Sequence, residues 1–146
     1  FALYQNKIKI NNMKTYSDNR PKVFEPIEDG GFRYNYNIKE IEVDRFDIIN
    51  NENETNNKQI QWEYDNVIIY LPINKDKITK TVIANTWDIN YENKLINDYN
   101  EISLGNLTEE EIDKRTNNYI TFLQERKQLK EMIDNDWKII KDIIKS

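Results

Sequence analysis

The sequence predicts an α+β protein: an N-terminal antiparallel β-sheet followed by a C-terminal helical hairpin with one long final helix. Two observations predict this fold. Between Phe32 and Ile38, apolar and polar residues alternate, which is the pattern of a strand with one buried face. In the last third, an amphipathic run from Leu107 to about Ile144 contains no Gly or Pro. We therefore expect a β-rich part at residues 1–72 and a helical part at residues 73–146, in one structural unit from which the final helix protrudes.

The β-rich part is expected to contain strands separated by polar loops. Residues 3–10 form a candidate first strand. Residues 22–27 form a short extended run that suits a sheet edge, because Pro lacks the backbone N–H that a central strand donates. The polar stretches at residues 11–21 and 50–58 are predicted to be loops. Residues 66–71 read NVIIYL and are apolar on both faces, which is typical of a central strand.

The alternation changes phase within the strand that begins near Phe32. Tyr34 and Tyr36 fall on even positions, whereas Ile41 and Val43 fall on odd ones. A β-bulge adds one residue to a strand and would return the apolar side chains to one face. We therefore expect a bulge at residues 39–40.

The helical part is expected to begin with two shorter helices. Asn74 can cap the first helix, which reaches Trp87, and a second helix is predicted from about Asn90 to Ser103. Gly105 is a candidate for the left-handed residue that ends the second helix. The inner face of the first helix is expected to contain Ile78, Val82 and either Ala84 or Asn85.

The long final helix has a defined start. Thr108 can act as the N-cap, and Glu111, three residues later, can complete a capping box. At roughly 1.5 Å per residue, a helix from Leu107 to Ile144 would be about 55 Å long. A rod of this length is expected to overhang a small domain or to pair with another helix.

The apolar stripe of this helix is broad, and polar residues interrupt it at Arg115, Arg126 and Asp136. It is therefore not a strict coiled-coil seam. Packing within the chain and a seam between copies both remain open at this stage. Four residues of the last turns are predicted to contact a partner: Trp137, Ile140, Ile143 and Ile144.

Composition favours some classes of function over others. The formal net charge of −5 argues against nucleic-acid binding and against docking on anionic membranes. The absence of His and Cys removes the commonest general base, the commonest metal ligand and any disulfide. We therefore expect no enzymatic activity, no cofactor and no metal. The sequence begins at Phe1 and not at Met, which is typical of a chain that has been trimmed or processed.

Two groups of side chains in the β-rich part could form sites. Tyr34, Tyr36 and Trp62 could form an exposed platform that stacks on sugar rings, although alternating aromatics more often form the core face of a sheet. Acidic residues follow, and such a cluster can hold Mg²⁺ or perform acid–base chemistry. We interpret them instead as a solvated strand face: Glu40, Glu42, Asp44 and Asp47.

Two segments carry a family resemblance. The segment from Gln61 to Gly105 contains a YD-x-V strand, a helix and a second helix that ends in LG, and Tyr91 and Glu92 stand near the place where the family has a Y-x-x-x-x-E element. The segment Asn118–Asp136 follows the pattern Y-x-x-F-L-x-x-R-x-x-L-K. Both resemble small proteins of phage and prophage tail regions, including tail-fibre-associated and tail-fibre-assembly proteins. The first segment stands in similar places to that family at Tyr64, Asp65, Val67, Ile83, Tyr91, Glu92, Asn97, Tyr99, Asn100, Leu104 and Gly105.

The resemblance implies a non-enzymatic tail-region protein, either a virion component or a helper of fibre assembly. Its expected partners are other tail or fibre proteins, or a second copy bound through the long helix. Its expected location is the virion or the cytoplasm of a bacterial host. The alternative, drawn from the aromatic residues, is a module that binds a glycan or another surface ligand.

Overall fold

A computed structural model describes residues 14–45 and 57–145. In these ranges, four strands form one antiparallel sheet and three α-helices follow it, so the protein has the predicted α+β fold. The chain divides into a sheet unit, Met13–Leu71, and a helical unit that contains Pro72–Ser146. The candidate strand at residues 3–10 lies outside the described residues.

Two long strands form the centre of the sheet, and two short strands form its edges. The strand order is β1-β4-β3-β2, and each neighbouring pair is antiparallel. The strands are β1 (Thr15–Ser17), β2 (Phe24–Pro26), β3 (Phe32–Arg45) and β4 (Asn57–Ile69). Because β1 and β2 have only three residues each, the hairpin of β3 and β4 extends beyond them.

The edge strands test two sequence predictions. β2 lies at a sheet edge within residues 22–27, as predicted, and ends at Pro26. β1 lies within residues 11–21, which were predicted to be a loop, so that prediction was wrong. Three mostly polar residues show no periodicity, since a strand pattern needs about four to eight residues to be recognised. Pairing with β4 is what makes Thr15–Ser17 a strand.

One face of the sheet, which we call the inner face, is buried and largely aromatic. The Phe24 and Phe32 rings are stacked with their centroids 4.8 Å apart. The Tyr34 and Tyr36 rings are 5.2 Å apart. The register of the central hairpin adds three residues of β4 to this face: Asp65, Val67 and Ile69. Their burial makes this face the apolar core of the sheet unit.

A β-bulge keeps the inner face in phase along β3. The register shifts between Tyr36 and Lys39, slightly earlier than the predicted position at residues 39–40. Asn37 adopts the left-handed conformation there, with φ of 52°. After the bulge, Ile41 and Val43 lie on the same face as Tyr36, as the change of phase predicted.

A buried carboxylate holds the bulge in place. Asp65 is opposite Tyr36, and its Oδ2 atom accepts a hydrogen bond from Asn37 Nδ2 at 3.0 Å. The same oxygen pairs with Lys14 Nζ at 2.8 Å. A buried carboxylate is costly unless it is paired, so these two donors allow Asp65 to occupy the inner face.

Three helices follow the sheet: α1 (Lys75–Thr86), α2 (Tyr91–Asn100) and α3 (Glu109–Lys145). The second helix was predicted to continue to Ser103, but its α-helical part ends at Asn100 and a 3₁₀ turn occupies Glu101–Leu104. Gly105 follows this turn in the left-handed conformation, as predicted, with φ of 78°. Glycine adopts this conformation without the steric cost that a Cβ atom would add.

The predicted caps of α1 and α3 are confirmed. Asn74 Oδ1 accepts a hydrogen bond from Lys77 N at 2.8 Å. Thr108 Oγ1 accepts one from Glu111 N at 3.2 Å, and Glu111 Oε2 accepts one from Thr108 N at 3.3 Å. These two reciprocal bonds form the capping box, so α3 begins where its sequence signals indicate.

The two shorter helices pack against the middle of α3, as the breadth of its stripe suggested. Phe122 is the centre of this contact, because its ring meets Trp87 at 5.1 Å and Tyr91 at 5.6 Å, both edge-on. Farther along α2, Tyr99 stacks on Tyr119 at 5.3 Å. Contacts therefore move backward along α3 as the chain moves forward along α2, so these two helices are antiparallel.

The two arginines that interrupt the apolar stripe bind α2. Arg126 pairs with Glu92 at 2.5 Å, and Arg115 pairs with Glu101 at 2.7 Å. Arg115 also donates to the backbone oxygen of Asp98 at 3.0 Å. The hydrogen bond with Glu101 raises the pKa of the Arg115 guanidinium. The interruptions are thus polar contacts that fix the register of α2 on α3.

The first prediction concerns Asn37. Both Asn37→Ala and Asn37→Gly remove the hydrogen bond to Asp65, but only Ala bears a Cβ in the left-handed conformation. We expect the Ala variant to be less stable than the Gly variant by about 1–2 kcal/mol. Urea unfolding monitored by circular dichroism measures the difference. Equal stabilities would show that the backbone at the bulge relaxes.

The second prediction compares neighbouring residues of α3. Phe122→Ala removes the ring between Trp87 and Tyr91 and is expected to cost about 3–5 kcal/mol of unfolding free energy. The control, Leu123→Ala, removes an exposed side chain and is expected to cost less than about 1 kcal/mol. Denaturant midpoints of both variants provide the test. Similar losses would contradict the described packing of α3.

Candidate binding face on the sheet

The face opposite the inner face, which we call the outer face, has apolar side chains open to solvent. Ile60 is 51% exposed and Ile68 is 42% exposed. Both point away from Val67 and Ile69, because successive residues of a strand alternate between faces. Residues 66–71 were predicted from their apolar character to form part of a central strand. β4 is central, but only one of its faces is buried.

A polar pair divides the outer face into two parts. Asn35 and Asn66 stand opposite each other in the middle of the hairpin. Asn35 Nδ2 donates to the backbone oxygen of Lys22 at 2.7 Å, and Asn66 Nδ2 donates to Thr15 Oγ1 at 2.8 Å. On the side of the hairpin tip, β4 contributes an apolar group that we call the outer patch: Ile60, Trp62 and Tyr64.

Beyond the polar pair, Ile68 is followed by Tyr70. The Tyr70 hydroxyl donates to Asp29 Oδ2 at 3.3 Å. The charge of Asp29 and this hydrogen bond raise the pKa of Tyr70. The Tyr70 ring lies against Gly31, where an added Cβ would be 3.0 Å from ring atom Cδ1. This part of the outer face is therefore tied to the Asp29–Gly31 turn, although Ile68 and Tyr70 remain exposed.

Carboxylates stand beside the outer patch on β3. Glu40 is opposite Trp62, Glu42 is opposite Ile60, and Asp44 is opposite Lys58. All three carboxylates are exposed, so the sequence-based interpretation of a solvated strand face is correct for them. Asp47 lies outside the described residues. In the part of the chain that the structure describes, no group of acidic residues could hold a metal ion.

A cation already lies on the aromatic centre of the outer patch. The Arg20 guanidinium carbon is 5.4 Å from the centroid of the Trp62 ring. An aromatic ring attracts a cation over its face because the ring face is electron-rich. Ser17 is opposite Trp62 on the edge strand β1. The ring is consequently half-buried and held by contacts within the sheet unit.

The aromatic platform that the sequence allowed does not form, and the commoner arrangement, the core face of a sheet, is correct for Tyr34 and Tyr36. Tyr34 is 0% exposed and Tyr36 is 2% exposed, because both belong to the inner face. Trp62 lies on the other side of the sheet, so the three rings cannot face one ligand. Alternation within each segment was recognised in the sequence, but the register that separates the two sets of rings was not.

One of the four residues predicted to contact a partner is also misplaced. Ile140 is 0% exposed and belongs to the core. Trp137, Ile143 and Ile144 are half-buried, whereas Ile139, which was not predicted, is exposed. A broad apolar stripe gives little indication of which of two adjacent isoleucines points outward, so the sequence could not separate Ile139 from Ile140.

The helical unit contains a cavity of about 470 Å³ between α1, α2 and α3. The charged residues of its lining already have partners in the chain. Arg126 pairs with Glu92, and Asp88 Oδ1 accepts a hydrogen bond from Asn90 N at 2.8 Å. The Nε atom of Arg126 is buried without a hydrogen-bond partner, and its burial also hides it from a ligand. The cavity therefore presents mainly apolar walls: Ile83, Ala84, Trp87, Ile89 and Phe122.

Comparisons with protein families, curated proteins and solved structures find no match to this chain. Among residues 14–45 and 57–145, no helix has both the length and the apolar character needed to cross a membrane.

The third prediction uses two adjacent residues on opposite faces of β4. Ile68→Thr changes an exposed residue of the outer face and is expected to alter stability by no more than about 0.5 kcal/mol. Ile69→Thr places a hydroxyl in the buried inner face and is expected to cost about 2 kcal/mol or more. Urea denaturation of both variants checks this difference. A large loss for Ile68→Thr would show that the outer face is covered.

Proposed function

We propose that the protein is a non-enzymatic component of a phage or prophage tail region, and that it acts by protein–protein contact. It is either part of the virion or a helper of fibre assembly, located in the virion or in the cytoplasm of the bacterial host. The observation that carries the contact role is the outer patch, where Ile60 is 51% exposed and Trp62 and Tyr64 are half-buried on a folded sheet. Exposed apolar patches with polar rims mark sites of interaction with other macromolecules.

The tail-region context is supported by the resemblance of residues 61–136 to small tail proteins. Several residues of that resemblance are packing residues in this fold. Tyr91 and Phe122 meet in the helical unit, and Tyr99 stacks on Tyr119. A shared set of packing residues supports a shared helical arrangement, and the outer patch then provides a surface for a tail or fibre partner.

A second copy of the chain is a further candidate partner through α3. This helix has 37 residues, and Ile120 and Leu123 are exposed one turn apart in its middle. They provide apolar side chains for a helix-mediated contact between copies. The absence of His and Cys from the sequence supports a non-enzymatic role. A glycan-binding role is not proposed, because Tyr34 and Tyr36 are buried.

The fourth prediction tests this function in a bacterium that carries the gene. Deleting the gene is expected to give particles with missing or defective tail parts in negative-stain electron microscopy, with reduced infectivity. Expression of the intact chain from a plasmid is expected to restore both. Mass spectrometry of purified particles distinguishes a virion component, which stays in the particle, from an assembly helper, which does not.

Two results together would contradict the proposal. If the deletion leaves infectivity and tail morphology unchanged, and the chain is absent from purified particles, the protein has no role in tails.

A further inference from the structure

Charged side chains lie beside the apolar residues of the outer patch. Glu42 pairs with Lys58 at 3.5 Å, and both side chains are exposed. Glu40 and Asp44 take part in no ion pair among the residues that the structure describes. Glu40 and Asp44 thus remain unpaired beside Trp62 and Ile60. The nearby cations are engaged elsewhere, because Lys58 pairs with Glu42 and Arg20 lies over the Trp62 ring.

The aromatic centre of the patch also favours a positive charge. Arg20 forms a cation–π contact with Trp62, so this ring already binds a guanidinium group of its own chain. Arg20 is exposed to solvent and has a long side chain. A second cation that approaches the rim of the ring would meet Glu40, which stands directly opposite Trp62.

From these observations we propose that the occupant of the outer patch is a segment of a partner protein that combines apolar residues with lysine or arginine. This inference rests on the proposed contact function and specifies the partner's chemistry. Apolar side chains of the segment would cover Ile60 and Trp62, while its cations would lie beside Glu40 and Asp44. Complementary charge of this kind directs partner choice and the rate of association.

Other occupants fit the same surface less well. Nucleic acids and anionic membranes carry negative charge, which the unpaired carboxylates of Glu40 and Asp44 repel. Two copies joined face to face through the outer patch would each bring Glu40, Glu42 and Asp44 to the interface, and like charges there disfavour the contact.

Binding of synthetic peptides to the full chain tests the proposal. The probe is a fluorescein-labelled peptide of alternating Leu and Lys, and the comparison peptide has Glu in place of Lys. By fluorescence anisotropy at low salt, we expect the Leu-Lys peptide to bind at least about 10-fold more tightly than the Leu-Glu peptide. We expect the preference to shrink in high salt, because ions screen exposed charges.

Two variants with the same change in charge locate the site. Glu40→Gln combined with Asp44→Asn is expected to weaken binding of the Leu-Lys peptide by about 5-fold or more. The matched control, Glu125→Gln combined with Glu131→Gln on exposed positions of α3, is expected to change it by less than about 2-fold. Ile60→Asn tests the apolar part and is expected to weaken binding while circular dichroism remains unchanged, because Ile60 is exposed.

Three results would overturn this inference. The first is absence of binding by the Leu-Lys peptide, and the second is an equal effect of the outer-patch and control variants. The third is a change of oligomeric state in Ile60→Asn without a change in peptide binding, which would identify a second copy as the occupant. A chain that fails these tests but is still required for tails would leave the proposed function intact. If the chain shows no preference between the peptides and the gene deletion has no effect on tails, both proposals are contradicted.

Discussion

The pairing register of β3 and β4 is the constraint on which the sheet unit depends. It places Tyr34 opposite Val67 and Tyr36 opposite Asp65, and it thereby assigns each residue of the hairpin to the inner or the outer face. A shift by one residue would exchange the two faces, because side chains alternate along a strand. The bulge at Asn37 keeps Ile41 in phase with Tyr36, so the same face continues past the irregularity.

The same register explains why the two candidate sites of the sheet had opposite outcomes. Tyr34 and Tyr36 are inaccessible to a ligand because they form the core. Ile60 and Trp62 lie on the outer face beside Glu40. Core formation on one side of the sheet thus leaves the outer patch on the other side. The polar pair of Asn35 and Asn66 limits that surface to one end of the hairpin.

In the helical unit, both apolar and charged contacts hold α3 against the shorter helices. Phe122 provides the apolar contact with Trp87 and Tyr91, and burial of such a ring is worth a few kcal/mol. Arg115 and Arg126 set the alignment of α2 through ion pairs that are partly exposed, so their contribution to stability is modest. Two of the three positions that interrupt the coiled-coil pattern, Arg115 and Arg126, therefore direct α3 toward its own chain.

The sequence by itself determined the α+β class, the capped starts of α1 and α3, the need for a bulge in β3 and the left-handed conformation of Gly105. Each of these depends on local chemistry within a few residues, such as the reciprocal bonds of Thr108 and Glu111. Only the tertiary structure decided that Thr15–Ser17 is a strand, that Ile140 is buried while Ile139 is exposed, and that Trp62 faces away from Tyr34. These outcomes depend on which segments pair and in which register, and the free energy of that choice comes from contacts between residues far apart in the chain.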